Sequence, residues 1–264
     1  ERNEKARLEI MSKFNNSVKK ETVQETLVND EKILQDLQDD LDSEDIPYKK
    51  KEGLTMEIKG YKDFYKQDKL SIYNMDNMEL MKQIPDKYFD LAIVDPPYKI
   101  GFDHYKRYGL SLETKNRHIK NGKKIWDSKL PTKEYFLELF RISKEQIIWG
   151  GNYFQLEPTQ CFIFWYKQNP VTNFSDGELA WTSFKKPALC FDYRYFGNLQ
   201  GNSNAEIKIH PTQKPIELYD FCLKKLAKEG MKIFDSHLGS GSNAIASHYA
   251  KMEFIGCELD SDYY

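Results

Sequence analysis

The stretch from residue 231 to 260, "MKIFDSHLGSGSNAIASHYAKMEFIGCELD", constrains the fold more than any other. An apolar run ends at Asp235 and passes through a glycine loop into a helical pattern at 243–251. A second apolar run, 253–260, follows. Two strands joined through a helix are built to lie parallel, because parallel neighbours need a long crossover. The same rhythm holds upstream. Strand-like runs at 69–76, 89–95, 146–152, 161–167 and 187–196 are interrupted by helical patterns at 77–85 and 132–144. A further helix is predicted at 215–230, with Pro215 in its first turn, Ile216, Tyr219, Leu223 and Leu226 on its apolar face, and Gly230 as C-cap. In the helix at 132–144, Phe136, Leu139 and Phe140 share one face. Alternating strands and helices predict an α/β fold: a mostly parallel twisted sheet with helices on both faces.

The first 50 or so residues have another texture. Val23, Leu27, Leu34, Leu37 and Leu41 make a heptad-like stripe, and residues 21–45 hold ten acids and one Lys. This reads either as a solvated helix or as a helix for self-association or a partner subunit. Pro47 and the "KKKEG" run at 49–53 mark a linker. The chain therefore divides into a helical extension with linker, 1–52, and a main domain, 53–264. Glu1 is not preceded by a methionine, so the chain is expected to be less than the complete gene product.

Net charge is −2 over 264 residues, which alone argues against nucleic acid as a partner. Its distribution argues otherwise. Residues 1–52 carry 10 Lys/Arg and 14 Asp/Glu, whereas residues 99–133 carry 10 and 3. A basic segment of that kind is either a solvated loop or a phosphate-contacting one. The four cysteines, Cys161, Cys190, Cys222 and Cys257, show no zinc or redox spacing and sit in apolar surroundings. Buried thiols in a reducing, cytoplasmic compartment fit them best. No signal peptide or long apolar run is present in this sequence, so no membrane partner is expected.

Three motifs carry chemistry. The first is Asp95-Pro96-Pro97-Tyr98, placed directly after the strand "LAIV". Prolines and an acid can simply end a strand. They can also make a site: the Asp95 carboxylate and the Pro96 carbonyl are two acceptors, and proline has no N–H to compete and a fixed φ. The second is the glycine loop after Asp235. Gly239 and Gly241 let the backbone approach a ligand, and Glu258 ends the next strand 23 residues after Asp235, where an acid commonly meets ribose hydroxyls. The full dinucleotide glycine spacing is absent. A nucleoside with a small charged tail, as in S-adenosylmethionine, suits this pattern better than a dinucleotide. The third is "HPTQKP", in which His210, Thr212 and Lys214 can supply donors to a carboxylate, or which can be an ordinary helix entry.

In this order the three motifs resemble the S-adenosylmethionine-dependent amino-methyltransferases of DNA, in the permuted beta arrangement with the catalytic motif first. The resemblance covers roughly residues 69–262. It implies a Rossmann-like methyltransferase fold. It also implies catalytic residues Asp95, Pro96, Pro97 and Tyr98, with Tyr98 stacking on a base flipped from the duplex. The cofactor would be held by Asp76, His210, Thr212, Lys214, Asp235, Gly239, Ser240, Gly241 and Glu258, with Asp76 near its adenine. No metal is required, because the leaving thioether is neutral. "WGGN" (149–152) and "NFSDGELAW" (173–181) resemble the segments around the target base, making Phe174 a candidate wall if it is not a core residue. Beside the catalytic loop, Lys106, Arg107, Lys115, Arg117, Lys120, Lys123 and Lys124 are expected to contact double-stranded DNA. Two features depart from the family. Its cofactor loop usually reads Asp-Pro-Phe where this chain has Asp235-Ser236-His237, and the helix expected after Glu258 is missing or lies beyond Tyr264.

The activity so implied is methylation of adenine N6 in DNA, in a bacterial or phage setting and with a restriction partner left open. Three alternatives stand beside it: cytosine-N4 methylation by the same chemistry, methylation of RNA or a protein amide, and a silent DNA-binding subunit. The family motif more often begins with Ser for cytosine, and its protein-directed relatives tend to carry Asn at that position, so Asp95 favours adenine.

Overall fold

The computed structural model describes residues 57–99, 130–169, 175–196, 199–200, 212–261 and 263–264. The N-terminal heptad stripe, the linker, the body of the basic segment, His210 and Phe174 lie outside the described residues.

Nine strands form one sheet: β1 (Asp63–Gln67), β2 (Leu70–Asn74), β3 (Phe89–Val94), β4 (Ser143–Trp149), β5 (Phe162–Tyr166), β6 (Gly177–Thr182), β7 (Leu189–Asp192), β10 (Lys232–Asp235) and β11 (Glu253–Glu258). The short pair β8 (Tyr195–Phe196) and β9 (Leu199–Gln200) stands apart. The spatial order is β1-β2-β11-β10-β3-β4-β6-β5-β7. From β2 to β4 every ladder is parallel, as the strand–helix alternation predicts. β6 then runs antiparallel between β4 and β5, β1 pairs antiparallel with β2, and β7 lies parallel to β5 at the far edge.

β3 is apolar apart from Asp90, and β4 is apolar and buried from Ile147 to Trp149, the mark of a sheet covered on both faces there. Alternation sorts their side chains between the faces. Leu91 and Ile93 of β3, Ile147 and Trp149 of β4, and Ile233 of β10 join one buried cluster. It includes Leu218, Cys222, Leu223 and Leu226 of helix α3 (Ile216–Leu226) and Ala244 and Ala246 of α4 (Ser242–Tyr249). Ala92, Val94, Ile148 and Phe234 are buried facing the other way. The remaining helices, α1 (Asn77–Met81) and α2 (Lys133–Ile142), pack against each other and bury Leu80, Met81, Leu139 and Ile142.

Several expectations need correction. The buried face of α2 is Tyr135, Leu139 and Ile142, not Phe136, Leu139 and Phe140; the two phenylalanines are only half-buried and lie at the edge of that face. α3 ends at Leu226 with Ala227 as its cap, four residues earlier than expected, and Gly230, at φ +83°, serves the turn into β10. The run at 187–196 is two strands, β7 and β8, broken at Tyr193 and Arg194. Cys190 is exposed while the other three cysteines are buried, because β7 is an edge strand and its side chains alternate outward. β1 and β6 were not anticipated as strands: β1 is a mostly exposed edge with little apolar signal, and β6 lies inside "NFSDGELAW".

Two ties bring the ends of the parallel strands into register. Asn74, buried at the end of β2, donates to the Glu258 carbonyl at 2.7 Å and accepts from Ser261 at 2.9 Å. Asn243, at the start of α4, donates to the Ile93 carbonyl at 3.0 Å and to Asp235 at 2.9 Å, linking β3 to β10. The direction of chain progression reverses between β10 and β3, so a crevice opens there at the carboxyl ends.

Candidate active site

A cavity of about 210 Å³ occupies that crevice. Residues following four parallel strands meet in its wall: Asp76 after β2, Asp95 after β3, the loop Ser236–Ser240 after β10, and Glu258 closing β11. Thr212 and Lys214 reach it from the segment before α3, and Asp260 and Tyr263 from the chain beyond β11. The glycine loop and the Asp-Pro-Pro-Tyr loop, 140 residues apart in sequence, thus share one cavity.

The cofactor-side residues are held by short local bonds. Glu258 accepts from the Gly239 amide at 2.9 Å and from the Asp260 amide at 2.8 Å, which folds the glycine loop over the carboxylate. Gly239 takes φ +54°, which a side chain would resist. Asp76 caps α1, accepting from the amides of Met78 at 2.9 Å and Glu79 at 3.2 Å. Ser240 and Thr212 line the cavity. Gly241, at φ +76°, caps α4 and does not reach the wall.

Asp235 also differs from its expected place. It is 1% exposed, lies beneath the cavity, and accepts from the His237 amide at 3.0 Å and from Asn243 at 2.9 Å. It shapes the loop and does not face a ligand. Burial pushes its carboxyl up; the two donors pull it down and the charges of Asp95 and Glu258 push it up again, leaving it at about 7. His237 stands where the family has Phe. Its Nε2 lies 3.0 Å from the Asn77 amide nitrogen and its Nδ1 2.8 Å from the Ser236 hydroxyl. The Ser236 hydroxyl in turn lies 2.6 Å from that of Tyr135. Burial holds the imidazole down at about 4, so the ring is neutral near pH 7 and uses its polar edge within the protein. Asn77, Tyr135 and Asn243 carry no motif of their own, and sequence reasoning missed them.

The catalytic-side residues form a tighter cluster. Tyr98 donates its hydroxyl to Asp95 Oδ1, and the Lys214 ammonium donates to Asp95 Oδ2. Lys214 also stands 3.0 Å from the Tyr98 oxygen and 3.3 Å from Glu178 Oε2, and Lys167 pairs with Glu178 Oε1. The Lys214 side chain is 5% exposed. Burial pulls the ammonium down, but Asp95 and Glu178 outweigh it and hold the group above its ordinary value. Burial likewise pushes Glu178 up, yet Lys214 and Lys167 bring it to about 2. For Tyr98, burial and the two carboxylates act together and drive the phenol well above its usual range. Removing one member of such a buried pair typically costs about 3–5 kcal/mol, because its partner is left unpaired. Glu178 and Lys167 are the members that sequence reasoning missed; they were legible only as residues of "NFSDGELAW" and "CFIFWYK".

Pro96 is buried and Pro97 lines the cavity. The Tyr98 ring stacks on Tyr153, with centroids 5.1 Å apart and planes at 18°. It packs so closely on Gly150 that a Cβ there would lie 2.1 Å from a ring atom.

Among the described residues, four carboxylates line the cavity, Asp76, Asp95, Glu258 and Asp260, against one ammonium, Lys214. That excess of negative charge suits a ligand carrying a sulfonium and an ammonium. Carboxylates at the ends of adjacent strands, together with a glycine turn, also suit ribose hydroxyls. The donor set therefore fits S-adenosylmethionine.

Fold and crevice together are those of a Rossmann-like methyltransferase. Residues 152–264 match the DNA methylase family of N6 and N4 amino-methyltransferases. Over 248 residues the chain is 21% identical to the type II methyltransferase M.ScaI of Streptomyces caespitosus, spanning 76% of this chain and 81% of that one. It is 23% identical over 250 residues to the type II methyltransferase M.BglII of Bacillus subtilis, spanning 76% and 68%. Among solved structures, the PvuII DNA methyltransferase (cytosine-N4-specific) shares the fold, with a TM-score of 0.50 and 16% identity over 77% of this chain and 87% of that one. The family match over residues 152–264 and the two relatives make the chain similar to the S-adenosylmethionine-dependent DNA amino-methyltransferases.

Proposed function

We propose that the protein transfers a methyl group from S-adenosylmethionine to the exocyclic N6 amine of adenine in double-stranded DNA, after flipping the base out of the helix. The observation that carries this reading is the position of Asp95, whose carboxylate stands in the wall of the same cavity as Gly239 and Glu258. The bound cofactor supplies an electrophilic methyl on a sulfonium that departs as a neutral thioether. The rest falls to the chain. The adenine amine is a poor nucleophile because its lone pair is spread into the ring. Asp95 and the Pro96 carbonyl accept its two N–H groups, hold it in line, and favour the pyramidal form, and the proton released as the N–C bond forms passes to Asp95 or to water. Tyr98 offers the extruded base a stacking face once Tyr153, stacked on it at 5.1 Å, moves aside. Asp76, Thr212, Ser240, Gly239 and Glu258 hold the cofactor. The basic segment with Lys106, Arg107, Lys115, Arg117, Lys120, Lys123 and Lys124 would neutralise phosphates, and Phe174 is a candidate wall for the base.

The family match embraces N4 as well as N6 amines, and cytosine-N4 transfer would use the same two acceptors. An acid at the head of the motif favours adenine. Digestion of methylated genomic DNA followed by nucleoside mass spectrometry decides: N6-methyladenine is expected, and N4-methylcytosine alone would replace adenine by cytosine. In the same assay Asp95→Ala should abolish turnover while S-adenosylmethionine still binds by calorimetry. Undiminished turnover would remove Asp95 from the chemistry. The two curated relatives are type II methyltransferases, and a restriction partner in the same cell fits this reading.

A further inference from the structure

We propose that Lys214 is a positioning residue, not a cofactor ligand: its ammonium, clamped between Asp95 and Glu178, fixes the Asp95 carboxylate in the orientation that receives the target amine. This rests on the reading of the site as a DNA amino-methyltransferase and deepens it.

The first argument is the company the ammonium keeps. It donates to Asp95 Oδ2 and to the Tyr98 oxygen at 3.0 Å, and Glu178 Oε2 stands 3.3 Å away as an ion-pair partner. Two protein carboxylates thus balance its charge, where "HPTQKP" suggests from sequence a partner in the carboxylate of a ligand. The second argument is the shape of the cluster. Asp95, Tyr98 and Lys214 bond in a closed triangle, so rotation of the Asp95 carboxyl would break two bonds at once. The third is support from behind. Lys214 lies over the rings of Tyr98 and Trp149, at 5.4 and 5.8 Å, and its backbone is stiffened by Pro215 at the start of α3. Glu178, itself paired with Lys167, balances its second side. Two cations and two anions make the cluster neutral, and Asp95 and Lys214 alone among them border the cavity. A carboxylate that must receive a small amine within hydrogen-bond distance benefits from such a clamp, because a misplacement of about 1 Å can cost roughly 100-fold in rate.

Three variants of the full chain test this: Lys214→Met, Lys214→Arg and Glu178→Gln. Each is assayed for S-adenosylmethionine affinity by calorimetry, for thermal melting, and for single-turnover methylation of duplex DNA at saturating cofactor. For Lys214→Met we expect cofactor affinity within about 3-fold of the parent and a turnover rate lower by roughly 100-fold. Lys214→Arg, which keeps the charge, should recover part of that loss. Glu178 does not line the cavity, so in Glu178→Gln a rate loss of about 10-fold with both KM values unchanged would show the clamp acting through Asp95. If Lys214→Met weakens cofactor binding 10-fold or more yet reacts at the parental rate when saturated, Lys214 is a cofactor ligand and the proposal is wrong. Parental rates in both Lys214→Met and Glu178→Gln would also overturn it. Should Lys214→Met fail to fold, Glu178→Gln decides alone by the same criterion. A parent protein that methylates no DNA removes the broader reading as well, so the two failures are distinct.

Discussion

Asp235 and His237 sit two residues apart under the cavity, and burial drives their protons in opposite directions. Asp235 is held at about 7 against an ordinary 3.8. Between those values the folded chain binds a proton that the unfolded chain has released, so stability falls as pH rises from 3.8 to 7. His237 is held at about 4 against an ordinary 6.5. In that window the unfolded chain takes a proton that the folded chain refuses, so stability rises as pH rises from 4 to 6.5. The two slopes oppose each other from pH 4 to 6.5, and Asp235 alone remains between 6.5 and 7. His237→Phe, which restores an aromatic of the family's type, should expose the Asp235 limb: the melting temperature should fall steadily from pH 4 to 7. At about 1.4 kcal/mol per pH unit, the Asp235 limb amounts at most to roughly 4–5 kcal/mol and the His237 limb to roughly 3–4 kcal/mol. A melting temperature that stays level over that range in the variant would show that Asp235 is ionised throughout.

At the scale of elements, the informative junction is the end of β4. The strand carries Ile147, Ile148 and Trp149 into the core and then turns sharply at Gly150, with φ +69°. That turn stacks Tyr153 on the Tyr98 ring and brings Gly150 against ring atoms of Tyr98. Gly150→Ala places a methyl 2.1 Å from a ring atom and asks a non-glycine residue to hold a left-handed backbone. The ring must move, and with it the stacking surface offered to a flipped base. If stacking there is worth about 1–3 kcal/mol, the KM for DNA should rise roughly 5- to 150-fold while S-adenosylmethionine affinity stays the same. Steady-state kinetics with each substrate varied in turn checks this. An unchanged KM for DNA would mean that Tyr98 does not meet the base.

At the scale of the molecule, the sheet has two halves with different work. The parallel half, β2-β11-β10-β3-β4, presents its carboxyl ends as the cofactor crevice. The antiparallel half contributes Lys167 after β5 and Glu178 on β6, and these reach back to brace Lys214 and Asp95. For the DNA substrate proposed above, the basic segment that follows Tyr98 in sequence is expected to meet the phosphates. Replacing Lys120, Lys123 and Lys124 by Ala should lower affinity similarly for all duplex sequences. It should also flatten the salt dependence of binding by about 0.9 in the log–log slope for each phosphate that is no longer neutralised. Anisotropy titrations between about 50 and 200 mM salt read this directly, and an unaltered slope would place those lysines away from the phosphates.

Much of this was determined by the sequence alone. Strand and helix periodicities, the glycine loop and the Asp-Pro-Pro-Tyr motif are local patterns, and local patterns are set by backbone geometry and by which side chains must leave water. They gave the α/β class, the parallel half of the sheet, and the residues that gather at Gly239, Glu258 and Asp95. Only the tertiary structure decided who partners whom. That Lys214 spends its charge on Asp95 and Glu178, that Asp235 lies under the loop and not in the cavity, and that β6 enters between β4 and β5 all depend on contacts between residues dozens of positions apart. Periodicity carries no record of such pairings, because a buried charge selects its partner by distance in space, and that distance exists only once the chain has folded.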